Sequence, residues 1–120
     1  MSKIVVILEN EHCIIDALCL ISKKYGFQPF CFSYVDELIK NIDILKLVDL
    51  FITDFDLNDS NVIPLLKEMK KNNMNVYTIL NSGNHSAIKE IEKQGLNSLI
   101  NRIVDKTENY NTLFRNLVEN

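Results

Sequence analysis

The chain has 120 residues, of which 47% are hydrophobic and 24% are charged, and its formal net charge is −3. This composition is typical of a folded globular domain and excludes wholesale disorder. The acidic balance and the dispersed lysines give no electrostatic footprint for nucleic acid, so we predict no direct nucleic-acid binding. The apolar runs are too short for a signal peptide or a membrane span, which predicts a cytoplasmic protein with no membrane contact. We interpret residues 1–120 as one domain.

The first half of the chain alternates short apolar runs with amphipathic stretches, the pattern of repeated βα units. Residues 4–8 predict a buried strand, and the helical spacing of apolar residues over 14–25 predicts a helix that ends at Gly26. Residues 28–32 predict a short edge strand, because proline is tolerated at a sheet edge. A short helix capped by Ser33 or Asp36 follows and carries apolar residues as far as Ile42.

The second half continues the same alternation. Predicted strands cover residues 48–53, 76–80 and 98–100; predicted helices cover residues 63–70, 86–94 and a segment that begins near Thr107. Pro64 fits the first turn of its helix. The three cysteines, Cys13, Cys19 and Cys31, match no metal-binding spacing, and we predict reduced, mostly buried packing residues.

Five βα units predict an α/β fold: a flavodoxin-like, doubly wound (βα)5 domain with a five-stranded parallel sheet in the order 2-1-3-4-5. In that order the first and third strands are neighbours. Glu9 and Asn10 follow the first strand, and Asp54 and Asp56 follow the third. These side chains are therefore expected in one crevice at the carboxyl ends of the strands, where negative charge favours a divalent cation.

The stretch Leu-Phe-Ile-Thr-Asp-Phe-Asp-Leu at residues 50–57 resembles the receiver domain of two-component response regulators. Residues 95–102 resemble the segment that leads to the lysine of that family, and the resemblance covers the whole chain. It implies a signalling module rather than an enzyme, in which Asp54 accepts a phosphoryl group from a histidine kinase or phosphotransfer protein. It also implies a downstream protein partner and permits a homodimer.

Carried over position by position, the resemblance implies a Mg²⁺ site formed by Glu9, Asn10 and the backbone carbonyl of Asp56. Ser82 takes the place of the hydroxyl residue of the family, with Asn81 as the competing alignment. Arg102 takes the place of the lysine that contacts the phosphoryl oxygens. An amide at Asn10 brings no charge, so we predict weak metal binding.

Three further departures concern the fifth strand. Arginine is a planar fork rather than a compact charge, so Arg102 is not a conservative replacement. Ile103 stands where the family has a proline after a cis peptide bond, and we predict a trans bond there. Leu99 stands where the family has a switching aromatic. We therefore predict constitutive partner binding by a face that contains Ile91, Leu99, Val104 and Phe114.

Other functions remain open. A degenerate receiver would bind proteins independently of phosphorylation. A remote alternative is a haloacid-dehalogenase-like phosphatase, because residues 54–58 also resemble its Asp-x-Asp nucleophile motif. That motif normally follows the first strand of a longer chain. A nucleotide carrier is disfavoured, since the acidic loop at residues 9–12 would repel phosphate.

Overall fold

The computed structural model describes residues 3–106 and 109–119. Its strands are β1 (Lys3–Leu8), β2 (Phe27–Phe32), β3 (Leu50–Thr53), β4 (Thr78–Asn81) and β5 (Arg102–Val104). Its α-helices are α1 (His12–Lys24), α2 (Val35–Lys40), α3 (Ile63–Lys71), α4 (Ala87–Lys93) and α5 (Tyr110–Glu119). Two 3-10 turns lie at Ile42–Lys46 and Asn97–Leu99.

All strand pairs are parallel, and the sheet order is β2-β1-β3-β4-β5. The predicted fold class and strand order are confirmed. Pro29 lies in β2, which is an edge strand, where its missing N–H removes no ladder bond from a central strand. Gly26, at φ +87°, reverses the chain between α1 and β2, a conformation that glycine adopts without steric cost.

The core has two layers because neighbouring residues of a strand point to opposite faces of the sheet. Val5 and Ile7 pack with α1 and α5, whereas Val6 and Leu8 pack with α2, α3 and α4. Both faces of β1 and β3 are thus covered, as expected of central strands in a parallel sheet. The carboxyl ends of those two strands meet at one edge, Leu8 lying beside Thr53.

The prediction for the fifth strand is wrong. Residues 97–99 form a 3-10 turn, and β5 begins at Arg102, which pairs with Ile79 near the start of β4. The short helix is also shorter than predicted, because α2 ends at Lys40 and Ile42 begins the separate 3-10 turn. The predicted start of the last helix near Thr107 lies outside the described residues.

Two predictions of exposure are also wrong. Three members of the predicted docking face, Ile91, Val104 and Phe114, are at most 3% exposed and belong to the core. Cys13 and Cys31 are exposed and Cys19 is half-buried, so the cysteines are not mostly buried.

Within residues 3–106 and 109–119, no helix has the length and apolar character needed to cross a membrane.

Candidate functional site at the carboxyl edge of the sheet

The site centres on Asp54, the residue that follows β3. Its backbone N–H donates to the carbonyl of Leu8 at 2.9 Å, which continues the β1–β3 ladder and fixes the position of the residue. Its carboxylate Oδ1 accepts the N–H of Phe55 at 2.7 Å. Asp54 is only 5% exposed and lines a cavity of about 390 Å³. The structure thus places Asp54 in the crevice at the carboxyl edge, and its role as phosphoryl acceptor stays a prediction.

A cation approaches Asp54 from the loop after β5. Lys106 Nζ donates to Asp54 Oδ2 at 2.8 Å and to Glu9 Oε2 at 3.1 Å, and it lies 3.4 Å from Glu11 Oε2. Burial lowers the pKa of Lys106, but the hydrogen bonds and charges of Asp54 and Glu9 outweigh it and raise the pKa above its ordinary value. Lys106 is therefore a fixed ammonium among three carboxylates.

Glu9 is the most buried member of the site, at 1% exposure. Its Oε2 accepts from the backbone N–H groups of Asn10 and Glu11 as well as from Lys106. Burial and the charge of Asp54 raise the pKa of Glu9, against the lowering effects of the Glu11 N–H and Lys106. Among the described residues, Glu9 Oε1 has no hydrogen-bond partner, so one buried carboxylate oxygen remains available to a ligand.

The remaining predicted residues lie around the rim. Asn10, Asp56 and Ser82 all line the cavity with Asp54 and Lys106. The Asn10 amide donates to Asn58 at 3.1 Å, and the Asp56 carboxylate accepts from Asn84 at 3.0 Å. The Ser82 hydroxyl accepts the N–H of Asn84 at 3.0 Å. The loops after β3 and β4 are thus joined across the cavity.

The competing alignment, Asn81, has a different environment. Thr53 pairs with Leu80, so Asp54 and Asn81 are the next residues of adjacent strands. Asn81 is 1% exposed, and its amide donates to the hydroxyl of Tyr110 at 3.0 Å. Burial raises the pKa of Tyr110 despite the hydrogen bond from Asn81, so the phenol stays protonated. Ser82 therefore lines the cavity, whereas Asn81 links the end of β4 to α5.

Arg102 is not at this site, and its prediction is wrong. It lies at the start of β5 and lines a separate cavity at the opposite edge of the sheet, with Lys3, Asp49 and Tyr77. Lys106 is not among the site residues predicted from the sequence, because the predicted fifth strand lies at residues 98–100, four residues before the observed one. The sequence offers only a weak signal for the observed strand: Ile103-Val104 is a two-residue β-branched run that continues into Asp105-Lys106.

If the resemblance to receiver domains is realigned on Lys106, the other positions that it implies shift by the same four residues. Ile103, which is 55% exposed, would then take the place of the switching aromatic. Thr107 would take the place of the proline, and it lies outside the described residues. Within the described ranges the peptide bonds are trans, including those on both sides of Ile103.

The cavity is chemically suited to a hard cation or to a small anion held beside Lys106. Glu9, Asp54 and Asp56 offer oxygen donors, the kind of ligand that Mg²⁺ prefers. In the part of the chain that the structure describes, however, no three carboxylate, imidazole or thiolate groups are arranged as a ready metal site. The unpartnered Glu9 Oε1 fits a cation, and the amide at Asn10 weakens the fit.

The fold of this chain is similar to solved structures of response regulator receiver domains. The chain superimposes on a CheY-like response regulator receiver domain from Methanospirillum hungatei with a TM-score of 0.80 and 21% identity, covering 99% of this chain and 93% of that one. A Francisella response regulator receiver domain gives 0.80 and 20%, covering 98% and 95%. No protein-family model matches the sequence, and no curated protein does.

A third neighbour is a response regulator protein from Thermotoga maritima, solved in complex with Mg²⁺-BeF. It gives a TM-score of 0.75 and 18% identity, with 99% of this chain and 98% of that one covered. At these identities the likeness establishes the fold. The chain has the fold of response regulator receiver domains.

Proposed function

We propose that this chain is a receiver domain of phosphorelay signalling, in which Asp54 accepts a phosphoryl group from a histidine kinase or phosphotransfer protein. The observation that carries the proposal is the 2.8 Å contact between Lys106 and a nearly buried Asp54 at the carboxyl edge of β3. An exposed ion pair would have little meaning. A carboxylate and an ammonium held together in a concave site, in a receiver fold, have the parts that phosphoryl transfer needs.

The transfer forms one bond and breaks one. An oxygen of the Asp54 carboxylate attacks the phosphorus, a P–O bond forms, and the P–N bond to the donor histidine breaks. The backbone N–H of Phe55 orients the carboxylate. Lys106 Nζ, held 2.8 Å from Asp54 Oδ2, is placed to pair with the phosphoryl oxygens, and such a positioned cation stabilises the transition state.

A Mg²⁺ ion would be held by Glu9, Asp54 and the backbone carbonyl of Asp56, with Asn10 as a neutral ligand. The neighbour from Thermotoga maritima carries Mg²⁺ with a fluoroberyllate, which supports this choice of metal. The ion would supply positive charge to the phosphoryl oxygens. Affinity is expected to be weak, since Asn10 replaces a carboxylate and Lys106 already neutralises part of the site.

The competing function is a degenerate receiver that binds its partner without phosphorylation. Asn10 favours it, because its amide is bonded to Asn58 across the rim. The phosphatase alternative is disfavoured, because the Asp-x-Asp pair follows the third strand and Asp56 is engaged by Asn84. A downstream protein and a second copy of the chain are the partners that we propose for either receiver function.

One experiment separates these functions. The chain is incubated with Mg²⁺ and acetyl phosphate, and intact mass is measured for wild type, Asp54→Asn and the control Asp59→Asn. We expect one alkali-labile phosphoryl adduct on wild type and the control, and none on Asp54→Asn. An adduct that persists in Asp54→Asn contradicts the acceptor assignment. If wild type forms no adduct and binds no beryllofluoride, the degenerate receiver is the better description.

A further inference from the structure

Two of the three cysteines are paired in space. Cys19 lies on α1 and Cys31 lies on the edge strand β2, and their Sγ atoms are 3.1 Å apart. Cys31 is exposed and Cys19 is half-buried, so reagents in solution can reach the pair. A disulfide has a sulfur separation of about 2.05 Å, so closing the gap requires a sulfur movement of only about 1 Å.

We propose that Cys19 and Cys31 are a reversible modification site, at which exchange with a small-molecule disulfide forms a bridge between α1 and β2. The thiolate of one cysteine attacks a sulfur of the small disulfide, whose S–S bond breaks and releases one thiol. The second protein thiolate attacks the resulting mixed disulfide and releases the other thiol. The protein loses two electrons and two protons, and the small disulfide is reduced to two thiols.

The geometry gives the bridge a defined structural consequence. It closes residues 19–31 into a ring around the Gly26 turn and ties α1 to β2. Since α1 begins one residue after Glu11, the tied helix is the one that leads out of the Asp54 site. Cys13 lies near the start of the same helix and has no such partner thiol within the described residues.

The rate has its own expected signature. Partial desolvation of the Cys31 sulfur, together with its hydrogen bond with Cys19, raises the pKa of Cys31 to about 12. Only the thiolate takes part in exchange, so bridging should be slow at neutral pH and faster as the pH rises. A low rate does not alter the equilibrium, which depends on how well the fold holds the two sulfurs together.

The test measures the equilibrium between bridged and reduced chain in buffers of oxidised and reduced glutathione. Free thiols are trapped by alkylation, and the bridge is located by peptide mass mapping. The same titration is repeated in urea, where the chain is unfolded. We expect the equilibrium constant for bridge formation to be at least about tenfold larger in the native chain than in the unfolded chain, since prior positioning of the thiols favours closure. By linkage, the bridged protein should then unfold at a higher temperature than the reduced protein.

Variants complete the design. Cys13→Ser should leave bridging unchanged, whereas Cys19→Ser and Cys31→Ser should each abolish it and yield only a mixed disulfide with glutathione. Circular dichroism verifies that each variant is folded. Pairs that include Cys13 as often as Cys19–Cys31 would overturn the proposal. So would a native chain that bridges no more readily than the unfolded one, because the fold would then oppose the bridge.

Discussion

The two edges of the sheet carry charged residues in different ways. At the carboxyl edge, Glu9, Asp54 and Glu11 converge on a single cation, Lys106. At the amino edge, Asp49 instead accepts the N–H of Ile4 at 2.8 Å, and Lys3 lies 5.9 Å from the centre of the Phe27 ring. Asp49 and Lys3 at the amino edge thus have separate partners, whereas the charges at the carboxyl edge depend on one another. Such mutual dependence is the physical mark of a site.

The comparison is tested most strongly by removing the central cation. Lys106→Met leaves Glu9 and Asp54 facing each other without neutralisation, and loss of one partner from a buried ion pair costs up to about 3–5 kcal/mol of unfolding free energy. Solvent reaches part of Lys106, so the lower end of that range is expected. Urea unfolding measures the change, and beryllofluoride binding should be lost.

The matched control is Arg102→Met at the opposite edge. It should leave beryllofluoride binding unchanged, because Arg102 lines a different cavity. Loss of binding in this variant, with Lys106→Met unaffected, would restore Arg102 as the phosphoryl contact.

The second largest effect is expected beneath the site. Tyr110→Phe removes the hydroxyl that accepts the amide of Asn81, and a buried donor left unsatisfied costs about 1–3 kcal/mol. Tyr77→Phe is the control, since Tyr77 is 39% exposed at the amino edge. Thermal unfolding should separate the two variants. Equal, small decreases in the unfolding temperature of both variants would show that the Asn81–Tyr110 hydrogen bond does not stabilise the carboxyl edge.

A smaller effect concerns metal affinity. Asn10→Asp adds a negative charge at the rim of the cavity, and at about 4 Å a unit charge interacts with another by about 1 kcal/mol or more. Mg²⁺ should therefore bind several-fold to tenfold more tightly, as measured by titration calorimetry at constant ionic strength. Asn58→Asp places the same charge on the partner of the Asn10 amide and should have less effect. Equal affinities of wild type and Asn10→Asp would remove Asn10 from the metal site.

The smallest effect depends on pH. Asp59 accepts the backbone N–H groups of Val35 and Asp36 at the start of α2. Burial raises the pKa of Asp59, but the N–H groups of Asp36, Val35 and Asp59 itself outweigh it and lower the pKa below 3.8. The stabilisation is therefore present above pH 3.8 and is lost as the pH falls through the lowered pKa.

Asp59→Ala should cost roughly 1 kcal/mol near neutral pH, as for a lost helix cap. The difference in unfolding free energy between wild type and Asp59→Ala should become smaller in acid. Asp43→Ala is the control, because Asp43 forms only an exposed pair with Lys46. If this difference in unfolding free energy stays constant from neutral pH to below the lowered pKa, the charge of the Asp59 carboxylate does not contribute to capping α2.

The elements and site residues that could be predicted from the sequence differ from one part of the chain to another. The central strands were predictable because residues 4–8 and 50–52 are continuous apolar runs that lead into acidic residues, and such apolar runs are typical of buried parallel strands. Asp54 and Glu9 followed directly, since they come straight after those strands. The prediction of an exposed docking face was wrong, because the apolar residues of a predicted helix do not reveal whether other elements cover them. Ile91 and Phe114 are wholly buried.

The sequence by itself determined the order of the elements, the parallel sheet and the acids at its carboxyl edge, because burial of apolar runs is encoded locally. Tertiary structure alone decided which cation joins those acids. β5 has only three residues, too few for a distinct periodic signal, and its pairing of Arg102 with Ile79 and Val104 with Asn81 sets its register. That register sends Arg102 to one edge of the sheet and brings Lys106 to the other, within 2.8 Å of Asp54.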